Sequence, residues 1–202
     1  MENIFIKNKF HDKIKTIIGK VISMELRDYY EIEHSIRVAN LARDFAHYLN
    51  LPLSITKEVY LAGLLHDVGK IRMPLEILSK PGSLTEEEYE IIKKHSTVGG
   101  ELLDKNILGP IIDVVVHHHE RYDGSGYPDG LKGEEISLST RIISLIDSFD
   151  AMTSQRVYNT KKDLKEAIDD LYNSITPKEF GGKGVRYDPK LTRKFIEWLL
   201  IK

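Results

Sequence analysis

The sequence predicts an all-α protein. Apolar residues recur mostly at intervals of three and four along the 202 residues, which is the spacing that places side chains on one face of a helix. The periodic runs are also separated by proline, glycine and cap-type residues at the places where helices start and stop. Residues 11–27 give a first amphipathic helix through Ile14, Ile17, Ile18, Val21 and Ile22. Residues 32–49 give a second, with Val38, Leu41, Ala42, Phe45 and Leu49 on one stripe and Leu51-Pro52 beyond its end. A third runs from Ser54 to about Asp67 and is stopped by Gly69 and Pro74. After the turn at Pro81-Gly82, Thr85 opens a fourth helix whose first turn, Glu86-Glu87-Glu88, suits the positive end of the helix dipole. Pro110 is expected to open a fifth helix that ends at three successive histidines, and 138–153 form a sixth. Residues 163–172 form a seventh and 189–200 a last, with 177–184 as a loose linker between them. No repeat or low-complexity tract breaks this order, so the expectation is one helical domain with a small C-terminal extension.

Composition narrows the function classes. A hydrophobic content of 41% with 30% charged residues is that of a folded globular chain. A formal charge of −2 without a lysine or arginine block argues against binding a nucleic-acid backbone. The chain has no cysteine, which excludes a disulfide scaffold or a zinc-thiolate site and suits a reducing compartment. The N-terminus is too charged for a signal peptide, and no apolar run approaches the roughly 18 residues of a membrane span. The cytoplasm is therefore the expected location.

The passage HHHERYDGSGYPDG, residues 117–130, asks what three adjacent histidines hold and what its glycines must let approach. The faces of the helices answer the first part. His34 precedes Val38 by four residues and Leu41 by seven; His66 follows Ala62 by four and Val59 by seven. His95 follows Ile92 by three, His118 and His119 continue from Val114 and Val115, and Asp147 lies four after Ile143 and three before Asp150. Residues so spaced share a face, so five histidines and two or three aspartates point inward from apolar surfaces. A single histidine in that position is usually a satisfied core residue. Several together with buried carboxylates need cations, and imidazole with carboxylate suits first-row divalent metals. A helical bundle can gather such ligands from facing helices. Asp67, beside His66, can bridge two ions, and the expectation is a buried two-metal site.

Two metals about 3.5–4 Å apart can share one hydroxide and clamp the attacking and leaving oxygens of a phosphate ester. Lys70, one turn after His66, can reach the same cavity to meet phosphate charge, or it is a solvated helix-end lysine. Arg156, beyond the sixth helix, is a second candidate cation or a surface residue.

HSIRVANLA (34–42), LLHDVGKI (64–71), ILSKPGSLTEEE (77–88), HHHERYDGSGYPDGLKGEEI (117–136) and RIISLIDSFDAMTSQR (141–156) together resemble the HD-GYP family. This is the branch of HD metal-dependent phosphohydrolases associated with cyclic di-GMP breakdown. The match covers about residues 30–195, with Gly126-Tyr127-Pro128 seven residues after His119. It implies an HD-domain helical bundle with a GYP loop: an N-terminal helical segment over 1–29, a metal-binding catalytic core over 30–160, and a C-terminal helical extension over 161–202. It also implies metal ligands at His34, His66, Asp67, His95, His118, His119 and Asp147. One ion would take His34, His66, Asp67 and Asp147, and the other Asp67, His95, His118 and His119. Iron or manganese is the family expectation, with zinc or nickel on purification. Lys70, Asp150 and Arg156 match residues that approach substrate, and Asp67 and Lys70 would be the catalytic pair. His117 is left as structural or rim. The loop carrying Gly126, Tyr127 and Pro128 would wall the mouth and is in this family a proposed contact for diguanylate cyclase (GGDEF) domains, or it is a turn connecting two helices.

The chain departs from the family pattern at several places. Tyr30 stands where some members place a third-metal glutamate, with Glu31 and Glu33 out of phase, so two metals are expected. Arg156-Val157-Tyr158-Asn159 replaces Arg-Pro-Tyr-Arg, and Ser96 and Ser137 stand where prolines are usual. No receiver, PAS or membrane sensor is read ahead of the domain, so its regulatory input is expected to be absent or supplied by another chain. Three readings compete. The first is a phosphodiesterase that uses a metal-bridged hydroxide to open cyclic di-GMP, or next 3',3'-cyclic GMP-AMP, to the linear dinucleotide and/or GMP. The second is an HD phosphohydrolase for another nucleotide phosphate, and the third a weakly active binding module.

Overall fold

A computed structural model of the chain describes residues 29–154 and 161–202, with Gly19 in addition, and gives side-chain surroundings from Glu33 onward. Apart from helical Gly19, the helix expected over 11–27 lies outside the described residues, as do Arg156, Tyr158 and Asn159. The described residues contain eight α-helices and no strand, the all-α architecture that the periodicity predicts. Helix α1 spans Tyr29–Tyr48, α2 Leu53–Leu65, α3 Leu75–Leu78, α4 Glu86–Leu102, α5 Lys105–His117, α6 Leu138–Thr153, α7 Leu164–Asn173 and α8 Pro189–Ile201. Short 3-10 turns lie at Val68–Arg72, Gly133–Glu135 and Lys178–Phe180.

Local chemistry sets most of these bounds. Helix α1 closes on Asn50, which takes the left-handed conformation (φ 54°) while the Leu51 amide bonds back to the Ala46 carbonyl at 3.0 Å. Thr85 and Glu88 form a reciprocal capping box at the start of α4, and Asp163 and Glu166 do the same for α7. Ser137 accepts the Thr140 amide, so a serine standing where the resembled family has proline becomes the N-cap of α6. Asp188 caps α8, with Pro189 in the first turn where its missing N–H costs nothing.

Two expectations are corrected. Helix α5 starts at Lys105, capped by Asp104, rather than at Pro110. Pro110 cannot donate to the Asn106 carbonyl and its ring crowds that turn; the backbone yields two residues earlier, at Leu108 (φ −121°, ψ 22°). The third helix ends at Leu65 rather than near Asp67, and the chain tightens into a 3-10 turn from Val68 to Arg72.

The core is built from Val38, Ala42 and Phe45 of α1, Val59, Ala62 and Leu65 of α2, Val114 and Val115 of α5, and Ile142, Ile143, Leu145 and Ile146 of α6, all buried. Gly63 lets α2 approach α1 closely: a Cβ there would stand 2.6 Å from Ala39 Cα. At the other end Phe195 of α8 meets Phe45 and Phe149 edge-on, with ring centroids 5.0 and 5.1 Å apart. The C-terminal helix thus closes the bundle away from the histidines, which collect where α1, the end of α2, α4, the end of α5 and α6 converge. Among the described residues no helix is long and apolar enough to cross a membrane.

Candidate metal centre

Histidine placement begins with a repeated local device. The Nδ1–H of His66 donates to the Gly63 carbonyl at 2.9 Å, that of His95 to Ile92 at 2.6 Å, and that of His118 to Val115 at 2.8 Å. In each case the acceptor lies three residues back on the same helical turn. Committing Nδ1 as the donor leaves Nε2 with a lone pair, the form in which imidazole binds a metal. His34 reaches the same tautomer differently, by donating Nδ1–H to Asp150 Oδ2 of α6 at 2.7 Å.

The four Nε2 atoms surround Asp67. Its Oδ1 lies 3.3 Å from His95 and 3.9 Å from His118; its Oδ2 lies 3.2 Å from His66 and 3.9 Å from His34. Asp147 Oδ1 is 3.0 Å from His34 and 3.7 Å from His66. Ligand atoms of His34, His66 and Asp67 lie within 4.8 Å of one another, and so do those of Asp67, His95, His118 and His119. Two ligand groups therefore share one carboxylate.

Depth makes this arrangement costly without cations. His34, His66, Asp67, His95 and His118 are all buried. Burial pulls His34 and His66 down, but the carboxylates facing them, Asp147 with Asp150 for His34 and Asp67 with Asp147 for His66, outweigh it and leave both raised. Burial is the largest influence on the other side, and with neighbouring imidazoles and cations it lowers His95, His118 and His119, the last to about 3. Against their own burial, Asp67 is held well below the carboxylate range by Lys70 and His66, and Asp147 by His34 and His66. His66 Nε2 makes no hydrogen bond to any described residue although Asp67 Oδ2 is 3.2 Å away. A lone pair facing a carboxylate oxygen in a dry interior is satisfied by a proton or a metal ion, and a set of neutral imidazoles and ionised carboxylates fits first-row divalent metals.

The backbone makes the convergence possible at Gly69. A Cβ there would overlap the His95 carbonyl oxygen and stand 2.6 Å from the Gly99 nitrogen, so only glycine lets the turn carrying Asp67 lie against α4.

The structure brings together His34, His66, Asp67, His95, His118, His119 and Asp147. Lys70 joins them, with Nζ 2.7 Å from Asp67 Oδ2. Asp150 sits immediately behind His34 and is clamped by Arg37, whose Nε and Nη2 donate at 2.8 and 3.1 Å. Beside this pair a cavity of about 790 Å³ is lined by Glu33, Arg37, Phe149, Asp150, Lys161 and Lys162 among others. Tyr127 lies over His119 with centroids 4.9 Å apart, and burial pushes its phenol pKa up. Lys93 Nζ stands 5.5 and 5.6 Å from the ring centres of Tyr89 and Tyr127.

His117 turns away from the centre: Nδ1 faces Asp113 and Nε2 lies 3.1 Å from Asp129 Oδ2. The hydrogen bond to Asp113, opposed by burial and aided by Asp129, raises its pKa to about 9, which makes it a cation tying the loop to α5. Glu120, buried, accepts the amides of Asp129 and Gly130 at 2.7 and 3.0 Å and fixes the loop from inside. Gly126 packs so tightly on Glu120 that a Cβ would stand 2.6 Å from its carbonyl carbon. Sequence reasoning passed over Arg37 and Glu120. Arg37 carried a signal, since it lies three residues after His34 on the same face; Glu120 carried none, because its partners lie in an irregular loop.

A family model described as the HD domain matches residues 20–191. A cyclic di-GMP phosphodiesterase of Thermotoga maritima is 40% identical over 176 residues, 86% of this chain and 46% of that protein. A 3'3'-cGAMP-specific phosphodiesterase of Vibrio cholerae is 39% identical over 155 residues, 76% of this chain and 36% of that protein. The chain thus spans less than half the length of these curated relatives. The solved HD domain of the L. monocytogenes phosphodiesterase PgpH, in complex with cyclic-di-AMP, is similar in fold, with a TM-score of 0.64 at 22% identity over 91% of this chain and 94% of that one.

Proposed function

The chain belongs to the HD domain family, and from that premise we propose that it is a metal-dependent phosphodiesterase of the HD-GYP type acting on a cyclic dinucleotide. Cyclic di-GMP is the first candidate substrate and 3',3'-cyclic GMP-AMP the next, with the linear dinucleotide and/or GMP as product. The observation that carries this reading is the sharing of Asp67 by two buried histidine groups. His34, His66, Asp67 and Asp147 would hold one divalent ion, and Asp67, His95, His118 and His119 the other, with iron or manganese as the native metal. Such a pair supplies Lewis-acid stabilisation of phosphoryl oxygens and lowers the pKa of water at neutral pH.

The chain's own groups do the rest. The i−3 carbonyls and Asp150 hold the imidazoles in the tautomer that faces inward. Lys70, whose side chain is 22% exposed, carries a positive charge beside Asp67, where it would offset the charge of a bound phosphate. Tyr127 covers His119 on the loop side and keeps bulk water off that ring. Arg37, Lys161 and Lys162 give the adjoining cavity cations on the side of Asp150, and Asp150 and Arg156 are assigned to the substrate side. The loop at Gly126, Tyr127 and Pro128 is the surface we assign to a GGDEF-domain partner. The cytoplasm, a reducing compartment, suits a chain without cysteine.

The test is hydrolysis of cyclic di-GMP by anaerobically purified protein with its metals counted, wild type beside Asp67→Ala. About two metals per chain with turnover that disappears in the variant supports the reading. Two metals without turnover moves the substrate to another cyclic dinucleotide or nucleotide phosphate, and no metal with no turnover overturns the reading.

A further inference from the structure

We propose that Arg37 is a positioning residue of the metal centre, fixing through Asp150 the tautomer and ring plane of His34 and so holding one of the two ligand groups in place. The inference rests on the metal-centre reading above.

The argument starts from an asymmetry. For His66, His95 and His118 the partner of Nδ1 is a backbone carbonyl three residues back, so each tautomer is built into its own helical turn. For His34 the partner is a side chain, Asp150, 116 residues away on α6. A carboxylate on a rotatable stem fixes an imidazole only if it is itself fixed. Asp150 is 2% exposed, and Arg37 holds it from both oxygens: Nε donates to Oδ1 at 2.8 Å and Nη2 to Oδ2 at 3.1 Å. This two-pronged pairing sets the plane of the carboxylate as well as its position. His34 Nδ1 meets the same Oδ2 that Nη2 meets, so the guanidinium and imidazole converge on one oxygen.

The spacing is what allows this. Arg37 lies one helical turn after His34, so both side chains leave α1 on the same face and meet Asp150 together. With Nδ1–H donated, His34 turns Nε2 towards Asp147 at 3.0 Å and Asp67 at 3.9 Å. Without the guanidinium, Asp150 would be a buried carboxylate with a single donor, free to swing or to leave His34. The effect should fall on the His34, His66 and Asp67 group, because the other histidines do not use this support.

Elemental analysis after dialysis against a graded chelator series would compare wild type with Arg37→Gln, Arg37→Lys and Asp150→Asn, all loaded with manganese. Removing such a support typically weakens metal binding about 10–100-fold. Arg37→Gln and Asp150→Asn should therefore release one of two ions at a correspondingly lower chelator concentration while keeping the other. Their exchange-coupled manganese resonance should give way to that of a single ion. Arg37→Lys should fall between, since an ammonium cannot bind both oxygens in one plane. The metal-free proteins should melt within a few degrees of one another. A wild-type release profile in Arg37→Gln and Asp150→Asn overturns the inference alone. Loss of both ions together, with a matching fall in metal-free stability, also overturns it and makes the pair merely structural. A wild type that binds no metal overturns the metal-centre reading and this inference with it.

Discussion

The ammonium of Lys70 stands 2.7 Å from Oδ2 of Asp67, nearer than any imidazole nitrogen to the carboxylate that the two histidine groups share. Both belong to one turn of chain at the end of α2, so the cation and the shared ligand arrive together. Lys70→Met should keep both metals, because no ligand atom is removed. Its turnover should fall about 10²–10³-fold through loss of a charge aimed at the phosphate. Metal analysis beside kcat would show the split; loss of metal would mean that Lys70 acts on the centre and not on substrate.

Gly69→Ala should damage the centre without touching a ligand. The new Cβ would overlap the His95 carbonyl and crowd the Gly99 nitrogen, forcing the turn of Asp67 away from α4. The cost is about 1–3 kcal/mol or more of stability, together with weaker metal retention. Gly109→Ala, with nothing within 4 Å of its Cβ, is the control and should stay within about 0.5 kcal/mol. Denaturant melts of the two variants decide this.

Glu120→Ala would leave the amide donors of Asp129 and Gly130 without their carboxylate acceptor. Each lost hydrogen bond is worth about 0.5–1.5 kcal/mol, so the variant should be measurably destabilised. Faster amide exchange should concentrate in residues 124–133. Uniformly faster exchange across α5 and α6 would instead mean that Glu120 supports the bundle as a whole.

Acid stability offers a test remote from the metals. Burial would raise the Asp170 pKa, but hydrogen bonds from Lys162 and Lys183 outweigh it and hold it below the ordinary 3.8. A depressed folded-state pKa gives stability that is present above the unfolded value and lost as pH falls through the folded one. Wild type should therefore lose more stability than Asp170→Asn between about pH 5 and about pH 2. Parallel acid limbs in chemical melts would show that the two lysines do not favour the ionised carboxylate.

The helices were legible in the sequence because caps and the three-and-four period are local. Thr85 with Glu88, Asp163 with Glu166 and Pro189 after Asp188 mark starts that the structure places within a residue of expectation. The inward face of His34, His66, His95, His118 and Asp147 was legible for the same reason, since position on a helix face follows from spacing alone. Spacing does not say which faces meet or how a ring is turned about its own bonds. The three adjacent histidines show the difference: His118 and His119 turn into the centre while His117 turns out to Asp113 and Asp129. The break at Leu108, the fit of Gly69 against α4 and the hold of Arg37 on Asp150 each depend on atoms far apart in the chain or on how a turn relieves crowding. By itself the sequence determined which residues lie on the inner faces of which helices, a matter of local periodicity. Only the tertiary structure decided the distances at which the imidazoles stand about Asp67, and that His34 presents Nε2 by donating Nδ1–H to Asp150, because those follow from long-range packing that no local period encodes.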